Sequence, residues 1–579
     1  MSCSNKQKRQ FLAELQKFIE KESEITNNAL LMEWEKPVLQ KLATGVSLKI
    51  KKIEKSSNTK EIIAHFDENN SRYRENDLVC LHTGDALNEQ FGRQITLIGE
   101  NKNSLTLFAM DRDNIFSNYP GGVCFLDPDT MDLTTYYQQA IVELAETYHG
   151  REHVLPILME KIENHYDFAA YDHADKFARS NGCNEAQTEA VASAFSSSPI
   201  YCIQGPPGTG KTMVLSQLVQ LLVENGERVL ITSHTHMAIN NAINKVYERG
   251  INVIKIGSKY QCKTLNKKIV CHEEISEADL PENAYAIGAT PFATCTKRLK
   301  GYQFDTIIFD EASQITVVLA AMAMRVGKKY IFLGDHYQLP PIVKSHSVLD
   351  DENRSVFAML VQDDNINTML EETYRMNDSL TKWPNKTFYQ NRLFSSLYSK
   401  NRRLCLPHAP NRFSWLLAPE HCMIFIPTNY MGARTSNLND AIIIADICNE
   451  LIKCGLLADE IGIVTPYRAQ GRLLKNIFKK RLGQYAVNAI VTDTVERMQG
   501  QQREVIFLSL VTSDLPFAQN IATFYFQPQR LNVSVTRAKT KLIILGNKEI
   551  ANWQSDNNKI DQWLSYYKDM LNCCLEIKV

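Results

Sequence analysis

The stretch YCIQGPPGTGKTMVLSQL, residues 201–218, constrains the fold more than any other part of the chain. It places a glycine-rich turn after an apolar run and before a run with the spacing of an amphipathic helix. Glycines allow consecutive backbone N–H groups to turn towards phosphate oxygens, and the start of the helix adds its dipole. The turn predicts a nucleotide-binding loop in an α/β domain, formed by Gly205, Pro206, Pro207, Gly208, Thr209, Gly210, Lys211 and Thr212.

Two side chains of this loop carry the expected chemistry. Lys211 stands where an ammonium group reaches the β- and γ-phosphates of a bound nucleotide. Thr212 follows it and supplies a hydroxyl group to Mg²⁺. The sequence therefore predicts ATP and Mg²⁺ as cofactors.

The stretch DTIIFDEASQ, residues 305–314, presents two adjacent carboxylates after an apolar strand. Taken alone, Asp310 and Glu311 fit a metal and proton-handling pair, the end of a buried strand, or the acidic start of a helix. A phosphate-binding loop requires a second strand whose end holds Mg²⁺ through a carboxylate. We therefore expect Asp310 to hold the metal and Glu311 to orient and deprotonate the attacking water.

Apolar strands alternate with amphipathic helices from Asn184 onwards, in two successive series. The first series includes IYCIQ, RVLITS, DTIIFD and KYIFLGD, and the second includes CMIFIP, EIGIVTPY, EVIFLSL and KLIILGN. Continuous apolar strands between helices indicate parallel sheets that are covered on both faces. We expect an α/β fold with two tandem domains, 184–345 and 346–548, joined near 346–368.

The remaining segments show other spacings of their apolar residues. Residues 1–45 carry apolar positions at helical spacing, whereas residues 46–127 form short alternating segments separated by turn residues. The latter pattern is typical of a small antiparallel β-barrel. Residues 128–183 are predicted to form a helical stalk and residues 549–579 a short helical tail.

Composition limits the class of protein without naming a partner. The 64 lysines and arginines nearly balance the 65 aspartates and glutamates, so a nucleic-acid surface would have to be a local groove. The 14 cysteines are scattered and include no C-x-x-C pair, which favours free thiols in a reducing compartment. The N-terminus has no signal-like apolar run, so a cytoplasmic protein that does not enter a membrane is expected.

Further polar groups stand at the ends of predicted strands and could complete the nucleotide site. Gln338 lies in FLGDHYQLPP, where a γ-phosphate would sit at the edge of the sheet. In the second domain, EETYRMND offers Arg375 and RLNVSVTRAK offers Arg537. Two arginines from a separate domain could close on the γ-phosphate and stabilise its charge during transfer. Alternatively, each could be a solvated surface arginine, as most arginines are.

The order of these motifs resembles the superfamily 1 helicases of the 5'-to-3' branch, particularly the up-frameshift and immunoglobulin-mu-binding helicases. The combination of DEASQ, GDHYQLPP and VTRAK is highly specific for this family. The matching segments appear in the family order and span residues 184–545: NEAQ, GPPGTGKT, SHTHMAINN, GATPFA, DEASQ, GDHYQLPP, YRM, GIVTPYRAQ, TVERMQGQQRE and LNVSVTRAK.

The resemblance implies a fold and an activity. Both α/β domains would be RecA-like, and the barrel on its helical stalks would help to grip single-stranded nucleic acid. The chain would be a monomeric ATP-dependent helicase or translocase that moves 5'-to-3' on DNA or RNA. The same motifs also serve a nucleic-acid-stimulated ATPase that remodels nucleoprotein complexes without separating strands, so this alternative stays open.

The resemblance also implies roles for individual residues. Gln187 would recognise adenine, Tyr374 would stack on its ring, and Gln338 would sense the γ-phosphate. Arg375 and Arg537 would contact the same phosphate from the second domain. Segments that line the nucleic-acid track in the family contain Thr235, Thr290, Pro291 and Thr494.

Three positions depart from the family pattern. His236 and Asn240 stand where relatives commonly have Asn and Asp. Gln502 stands where relatives usually have a glutamate that accepts a hydrogen bond from the ribose. A neutral amide also accepts such a bond, but without charge assistance it binds more weakly. We therefore expect Gln502→Glu to tighten ATP binding.

Overall fold

The computed structural model describes residues 4–69, 71–161, 163–275, 280, 284–345 and 355–578. It divides into two compact units. The first, here called the barrel unit, contains Cys3–Arg151 and Val343–His346. The second, here called the two-sheet unit, contains Glu152–Ile342 and Ser347–Val579.

The barrel unit is built on one antiparallel sheet whose pairing closes into a ring. Leu48–Ile50 pairs with Cys124–Pro128, and Lys52–Lys55, one residue further on, pairs with Glu61–His65 at the opposite end of the strand order. Alternate residues of these strands fill the interior because successive side chains point to opposite faces. The strand order is Leu48–Ile50, Cys124–Pro128, Leu78–His82, Gln90–Asn101, Ser104–Phe108, Glu61–His65 and Lys52–Lys55.

Four helices accompany this sheet, and the first is the longest of the described chain. A capping box between Ser4 and Gln7 starts it, since each side chain satisfies a backbone N–H that the helix leaves unpaired. Trp34 near its end donates to the carbonyl of Pro128, and Lys41 in the next helix forms a buried ion pair with Asp127. The helices are Asn5–Trp34, Val38–Thr44, Arg112–Asn118 and Thr134–Glu146.

The two-sheet unit contains two parallel sheets, each covered by helices. The first has eight strands in the order Val270–His272, Val253–Ile256, Tyr285–Gly288, Arg228–Thr232, Phe304–Phe309, Gly327–Gly334, Ile200–Gln204 and Asn367–Met369. The second has six strands in the order Val491–Thr494, Ile461–Thr465, Arg503–Ser509, Ala538–Gly546, Met423–Pro427 and Leu575–Glu576. The central strands are buried on both faces, which explains their continuous apolar sequences. The predicted α/β fold class is thereby confirmed.

The helices of the two-sheet unit pack on these sheets through apolar faces. The most apolar, Val317–Met324, has eight residues and is buried in the first domain. No helix in the described part of the chain is both long and apolar enough to cross a bilayer. The α-helices are Leu155–Leu158, Phe168–Ser180, Glu185–Ser196, Lys211–Glu224, His236–Glu248, Val317–Met324, Val356–Leu360, Asp378–Phe388, Ser414–Leu417, Leu438–Lys453, Arg468–Arg481, Gln484–Ala489, Val495–Met498, Leu515–Asn520, Ala522–Tyr525, Pro528–Val535 and Asn558–Asn572.

Shorter elements connect the larger ones. Two pairs of two-residue strands lie outside the main sheets, His165–Tyr166 with Ser197–Ser198 and Glu372–Thr373 with Phe394–Ser395. A π-helical turn occupies Gly150–Val154. Single 3₁₀ turns occupy Lys259–Cys262, Pro291–Cys295, Ala312–Gln314, Asp364–Ile366, Ala458–Glu460 and Lys548–Ala551.

Two segment boundaries differ from the sequence prediction. The strand Asn367–Met369 pairs with Ile200–Gln204, so residues expected in the linker and second domain complete the first sheet. Within the predicted linker, residues 346–354 lie outside the described residues. The predicted helical tail is part of the second domain, because Asn558–Asn572 buries Trp563 and Tyr567 in its core and Leu575–Glu576 pairs with Met423–Pro427.

The cysteines also require a correction. The structure joins Cys262 and Cys271 in a disulfide, whereas free thiols were expected throughout. Spacing alone could not have shown this, because connectivity does not follow from sequence. The free cysteines among the described residues are Cys80, Cys124, Cys183, Cys202, Cys295, Cys405, Cys422, Cys448, Cys454, Cys573 and Cys574.

Candidate functional site

The glycine-rich loop lies at the carboxyl end of Ile200–Gln204 and leads into the helix Lys211–Glu224. Gly208 and Gly210 both have left-handed backbones, with φ of 78° and 84°. A β-carbon at Gly208 would collide with Arg375, and one at Gly210 would lie 2.7 Å from the amide nitrogen of Gln187. Only glycine combines this conformation with such close approach.

The loop forms one wall of a cavity of about 330 Å³ between the two α/β domains. The opposite wall comes from the segment after Asn367–Met369 and from the second domain. The structure therefore brings together most of the predicted nucleotide-site residues. The lining residues are Gly205, Pro206, Pro207, Gly208, Thr209, Gly210, Lys211, Thr212, Met213, Glu311, Gln338, Tyr374, Arg375, Gly500, Gln502 and Arg537.

Asp310 and Glu311 follow the buried strand Phe304–Phe309, and neither starts an α-helix. Glu311 has a left-handed backbone, with φ of 52°. This conformation costs energy for a residue with a side chain, and such residues cluster at functional sites. The Nζ atom of Lys211 lies 3.3 Å from Oε1 of Glu311, and Gln499 donates to the other oxygen at 3.2 Å. Of the three sequence-based interpretations, the geometry favours the pair of functional carboxylates.

The charges at this point influence each other strongly. Burial alone would lower the pKa of Lys211, but Glu311, Asp310 and Asp335 outweigh it and raise that pKa. Burial, with the like charge of Glu311, raises the pKa of Asp310 to about 6 although Lys211 opposes the shift. Burial favours the neutral form of Glu311 as well, yet Lys211, His234 and Gln499 hold its pKa below the usual range. Glu311 is therefore ionised at neutral pH.

Arg375 and Arg537 also line the cavity, and the backbone of Arg375 lies beside Gly208 of the glycine-rich loop. Arg375 donates from Nε to Oε1 of Gln502 at 2.8 Å and from Nη1 to the carbonyl of Thr536 at 2.9 Å. Arg537 is 1% exposed and donates from Nε to the carbonyl of Val533 at 2.9 Å. Burial and the neighbouring Arg537 lower the pKa of Arg375, and burial lowers that of Arg537 to about 10. Among the described residues, neither guanidinium forms an ion pair, which leaves two cations facing the phosphate loop.

The adenine-site residues divide into two cases. Tyr374 lines the cavity, and its hydroxyl contacts Asn184 at 2.9 Å and Glu372 at 3.1 Å. Gln187 does not line the cavity and is 1% exposed. Its Nε2 donates to the carbonyl of Thr209 at 3.0 Å, and its Oε1 accepts from the backbone of Asn184 at 3.1 Å. Gln187 thus supports the phosphate loop, and its contact with adenine stays a prediction.

The predicted nucleic-acid residues lie at carboxyl edges of the two sheets. Thr235 caps the helix His236–Glu248 and accepts from Ala238 at 3.3 Å, while Thr290 precedes the turn Pro291–Cys295. These segments are adjacent because Arg228–Thr232 and Tyr285–Gly288 are paired strands. Thr494 stands at the corresponding edge of the second sheet and starts the helix Val495–Met498. Among the described residues, Thr232, Ser233, His234 and His236 have buried polar atoms without a protein partner at this edge.

Reasoning from the sequence missed three residues that support the site, Tyr389, Asn532 and Gln499. Gln338 donates to Asp335 at 2.9 Å, and the hydroxyl of Tyr389 donates to the same carboxylate oxygen at 2.7 Å. Asn532 donates to that hydroxyl at 2.9 Å. Gln499 was missed too, although it lies within the segment TVERMQGQQRE. A polar residue in a run that otherwise reads as buried, such as Asn532 in RLNVSVTRAK, is the one signal that could have indicated it.

The residues present fit a magnesium ion bound with a nucleotide. Among the described residues, no group of three or more histidine, cysteine, aspartate or glutamate side chains could hold a metal by itself. Mg²⁺ at nucleotide sites is held by one or two protein oxygens together with phosphate oxygens and water. The hydroxyl of Thr212 and the buried carboxylate of Asp310 supply such a donor set.

Family models match both α/β domains. A model described as AAA domain matches residues 352–549, and a second model with the same description matches residues 182–280 and 259–346. These ranges contain the phosphate loop, both carboxylates and both arginines.

Curated relatives match the same part of the chain. The "DNA replication ATP-dependent helicase/nuclease DNA2" of Saccharomyces cerevisiae is 30% identical over 410 residues, which are 64% of this chain and 26% of that protein. The "Regulator of nonsense transcripts 1" of Dictyostelium discoideum is 28% identical over 419 residues, which are 63% of this chain and 31% of that protein. The chain therefore spans less than a third of the length of these two relatives.

Among solved structures, the chain has a distant match to a helicase. Arterivirus nonstructural protein 10 (helicase) in complex with DNA is 14% identical, with a TM-score of 0.39 over 91% of this chain and 82% of that one. The family models and the curated relatives, together with the motif order, confirm the resemblance found in the sequence. The chain is thus similar, in motif order and in both matched domains, to the superfamily 1 helicases of the up-frameshift-like branch.

Proposed function

We propose that this chain hydrolyses ATP in the cleft between its two α/β domains and uses the reaction to move along single-stranded nucleic acid. The observation that supports this most strongly is the meeting of groups from both sides in one cavity. Lys211 and Glu311 come from the first domain, and Arg375, Gln502 and Arg537 line the opposite wall. Hydrolysis at such a site changes contacts on both sides at once, which is what a motor requires.

The proposed hydrolysis uses the ionised carboxylate of Glu311. Glu311 orients a water molecule in line with the bond between the γ-phosphorus and its bridging oxygen, and accepts the proton of that water. The water oxygen bonds to the γ-phosphorus as the bridging bond breaks, which yields ADP and inorganic phosphate. Lys211, Arg375 and Arg537 stabilise the charge on the transferring group. Thr212 and Asp310 would hold Mg²⁺, which would supply neutralising charge beside the phosphate oxygens.

Closure of the cleft follows from the same electrostatics. Arg375 and Arg537 lie near each other beside the cleft, and among the described residues neither forms an ion pair, so the two cations favour binding of an anion at this point. The γ-phosphate supplies the missing negative charge and favours the closed form. Its release after hydrolysis removes that stabilisation, and the domains separate again.

The proposed substrate is single-stranded DNA or RNA, gripped at the carboxyl edges that carry Thr235, Thr290, Pro291 and Thr494. Contacts of this kind read the backbone and give little sequence preference. The names of both curated relatives concern nucleic acid, one a DNA replication helicase/nuclease and the other a regulator of nonsense transcripts. The 5'-to-3' direction, the monomeric state and the cytoplasmic location expected from the sequence belong to this proposal as well.

ATP turnover tests the first half of the proposal. Purified chain should hydrolyse ATP slowly alone and faster with single-stranded polynucleotide, and Lys211→Ala should lower the stimulated rate at least about a hundredfold. Lys245→Ala is a matched control, because that lysine is exposed and pairs with Glu248 of its own helix. Turnover that survives Lys211→Ala would reject hydrolysis at this cavity.

Strand displacement tests the second half. Matched DNA, RNA and hybrid duplexes with either 5' or 3' overhangs should be opened only from 5' overhangs, and only with ATP. The same substrates with a bound protein roadblock distinguish unwinding from remodelling. If the roadblock is removed while every duplex stays intact, the remodelling ATPase is the correct function.

A further inference from the structure

Asp335 occupies an unusual position behind the candidate γ-phosphate sensor. It follows the strand Gly327–Gly334 at the carboxyl edge of the first sheet and is 0% exposed. Its Oδ2 accepts from Nε2 of Gln338 at 2.9 Å, and its Oδ1 accepts from the backbone of Tyr337 at 3.2 Å. The amide of Gln338 is thereby fixed with its nitrogen towards Asp335. Its second N–H and its oxygen remain for the cavity.

The second domain reaches the same carboxylate. Tyr389 follows the helix Asp378–Phe388, which packs in the core of the second domain, and is 2% exposed. Its hydroxyl donates to Oδ2 of Asp335 at 2.7 Å, so Tyr389 and Gln338 share one oxygen atom. Burial and the charge of Asp335 raise the pKa of Tyr389 well above its usual value. The phenol therefore stays protonated and keeps its donor.

Asn532 connects this contact with the second arginine. Its Nδ2 donates to the hydroxyl of Tyr389 at 2.9 Å and to the carbonyl of Tyr337 at 2.8 Å. It lies in the helix Pro528–Val535, whose carbonyl at Val533 accepts from Nε of Arg537 at 2.9 Å. A continuous chain of hydrogen bonds thus runs from Gln338 in the first domain to the helix that holds Arg537 in the second.

We propose that Tyr389 is a positioning residue for Gln338. Tyr389 donates to Asp335, and Asp335 in turn orients the amide of Gln338, so that groups from both domains contact the γ-phosphate together. The inference rests on the proposed hydrolysis of ATP in this cavity and adds a group that does not touch the nucleotide. Loss of the hydroxyl leaves Asp335 with one donor fewer and lets Gln338 turn away from its functional orientation. Because the ground-state contacts of ATP with the phosphate loop are untouched, the loss acts on kcat more than on KM.

Tyr389→Phe tests the inference, since it removes only the hydroxyl. The kcat of polynucleotide-stimulated ATP hydrolysis should fall about ten- to a hundredfold, as expected for loss of a hydrogen bond to a charged group, while KM for ATP changes less than about threefold. Asn532→Ala should act in the same direction. Tyr567→Phe is the matched control, because that buried hydroxyl contacts the carbonyl of Asn547. Thermal unfolding of all variants identifies any loss of folded protein.

A double-mutant cycle with Gln338→Ala shows whether Tyr389 acts through Gln338. In the Gln338→Ala background, Tyr389→Phe should have no further effect on kcat, because the group that it positions is gone. Independent, multiplying effects of the two substitutions would overturn the inference, as would a Tyr389→Phe rate within twofold of the unmodified chain. Absence of Lys211-dependent turnover in the unmodified chain would instead reject the proposed function itself, and the inference with it.

Discussion

Gln502 offers a sharp test of how the site holds its first arginine. Its Oε1 accepts from Nε of Arg375 at 2.8 Å, a contact between a neutral amide and a cation. Gln502→Glu would place a carboxylate there and make the bond a true ion pair. The present bond already involves one charged group, so the gain is the added attraction of an ion pair, about 1 kcal/mol.

This gain should be visible in kcat. If Arg375 has to leave Gln502 to reach the γ-phosphate in the transition state, about 1 kcal/mol of added attraction slows that step about fivefold. The carboxylate can also accept from the ribose, as predicted from the sequence, and KM for ATP should then fall. Both constants follow from initial rates of polynucleotide-stimulated hydrolysis over a range of ATP concentrations.

The control adds the same charge one residue earlier. Gln501→Glu places a carboxylate beside Arg503, which already contacts Gln501 at 3.3 Å, and should leave kcat within twofold. A Gln502→Glu enzyme with unchanged kcat would refute the idea that Arg375 moves between Gln502 and the phosphate. An unchanged KM would refute the predicted gain at the ribose, whatever happens to kcat.

Three further predictions concern other residues. Glu311→Gln should reduce ATP turnover about a hundred- to ten-thousandfold while nucleotide binding persists, measured by single-turnover hydrolysis and by equilibrium binding of a fluorescent ATP analogue. Trp563→Ala should destabilise the second domain by about 3–5 kcal/mol in urea unfolding, whereas a dispensable tail would show almost no change. Lys255 is fully buried, and burial lowers its pKa to about 7, from about 10.4 in the unfolded chain. The charged form of Lys255 therefore destabilises the folded state. This destabilisation is present in full below pH 7 and disappears towards pH 10. Lys255→Met should therefore raise the free energy of unfolding at pH 7 by up to about 4 kcal/mol. The difference from the unmodified chain should vanish near pH 10.

The nucleotide site was predictable because its signals are local. The phosphate loop needs glycines at Gly208 and Gly210 for reasons of backbone geometry, and these show in the sequence. The carboxyl ends of parallel strands meet at one edge, so Asp310 and Gln338 could be placed near Lys211 without coordinates. The family resemblance supplied the pairing of Arg375 and Arg537, which no local pattern could give.

The remaining features depend on contacts between distant segments. Tyr389 and Asp335 are 54 residues apart, and nothing in either neighbourhood predicts that the phenol reaches the carboxylate. The strand Leu575–Glu576 has two residues and therefore no period that could reveal it. Gln187 is a similar case, since the motif suggested an adenine contact but did not show that its amide also bonds Asn184 in a capping box and the carbonyl of Thr209.

The hydrogen bonds across the cleft are individually weak in the empty site. Tyr389 donates to Asp335 and Asn532 donates to the carbonyl of Tyr337, and such bonds contribute about 1–3 kcal/mol each. Because these contributions are small, a ligand that favours one form by a few kcal/mol decides the position of the equilibrium. A γ-phosphate that engages Lys211, Arg375 and Arg537 together supplies such a difference, so the weakness of the nucleotide-free contacts is what makes ATP the controlling ligand.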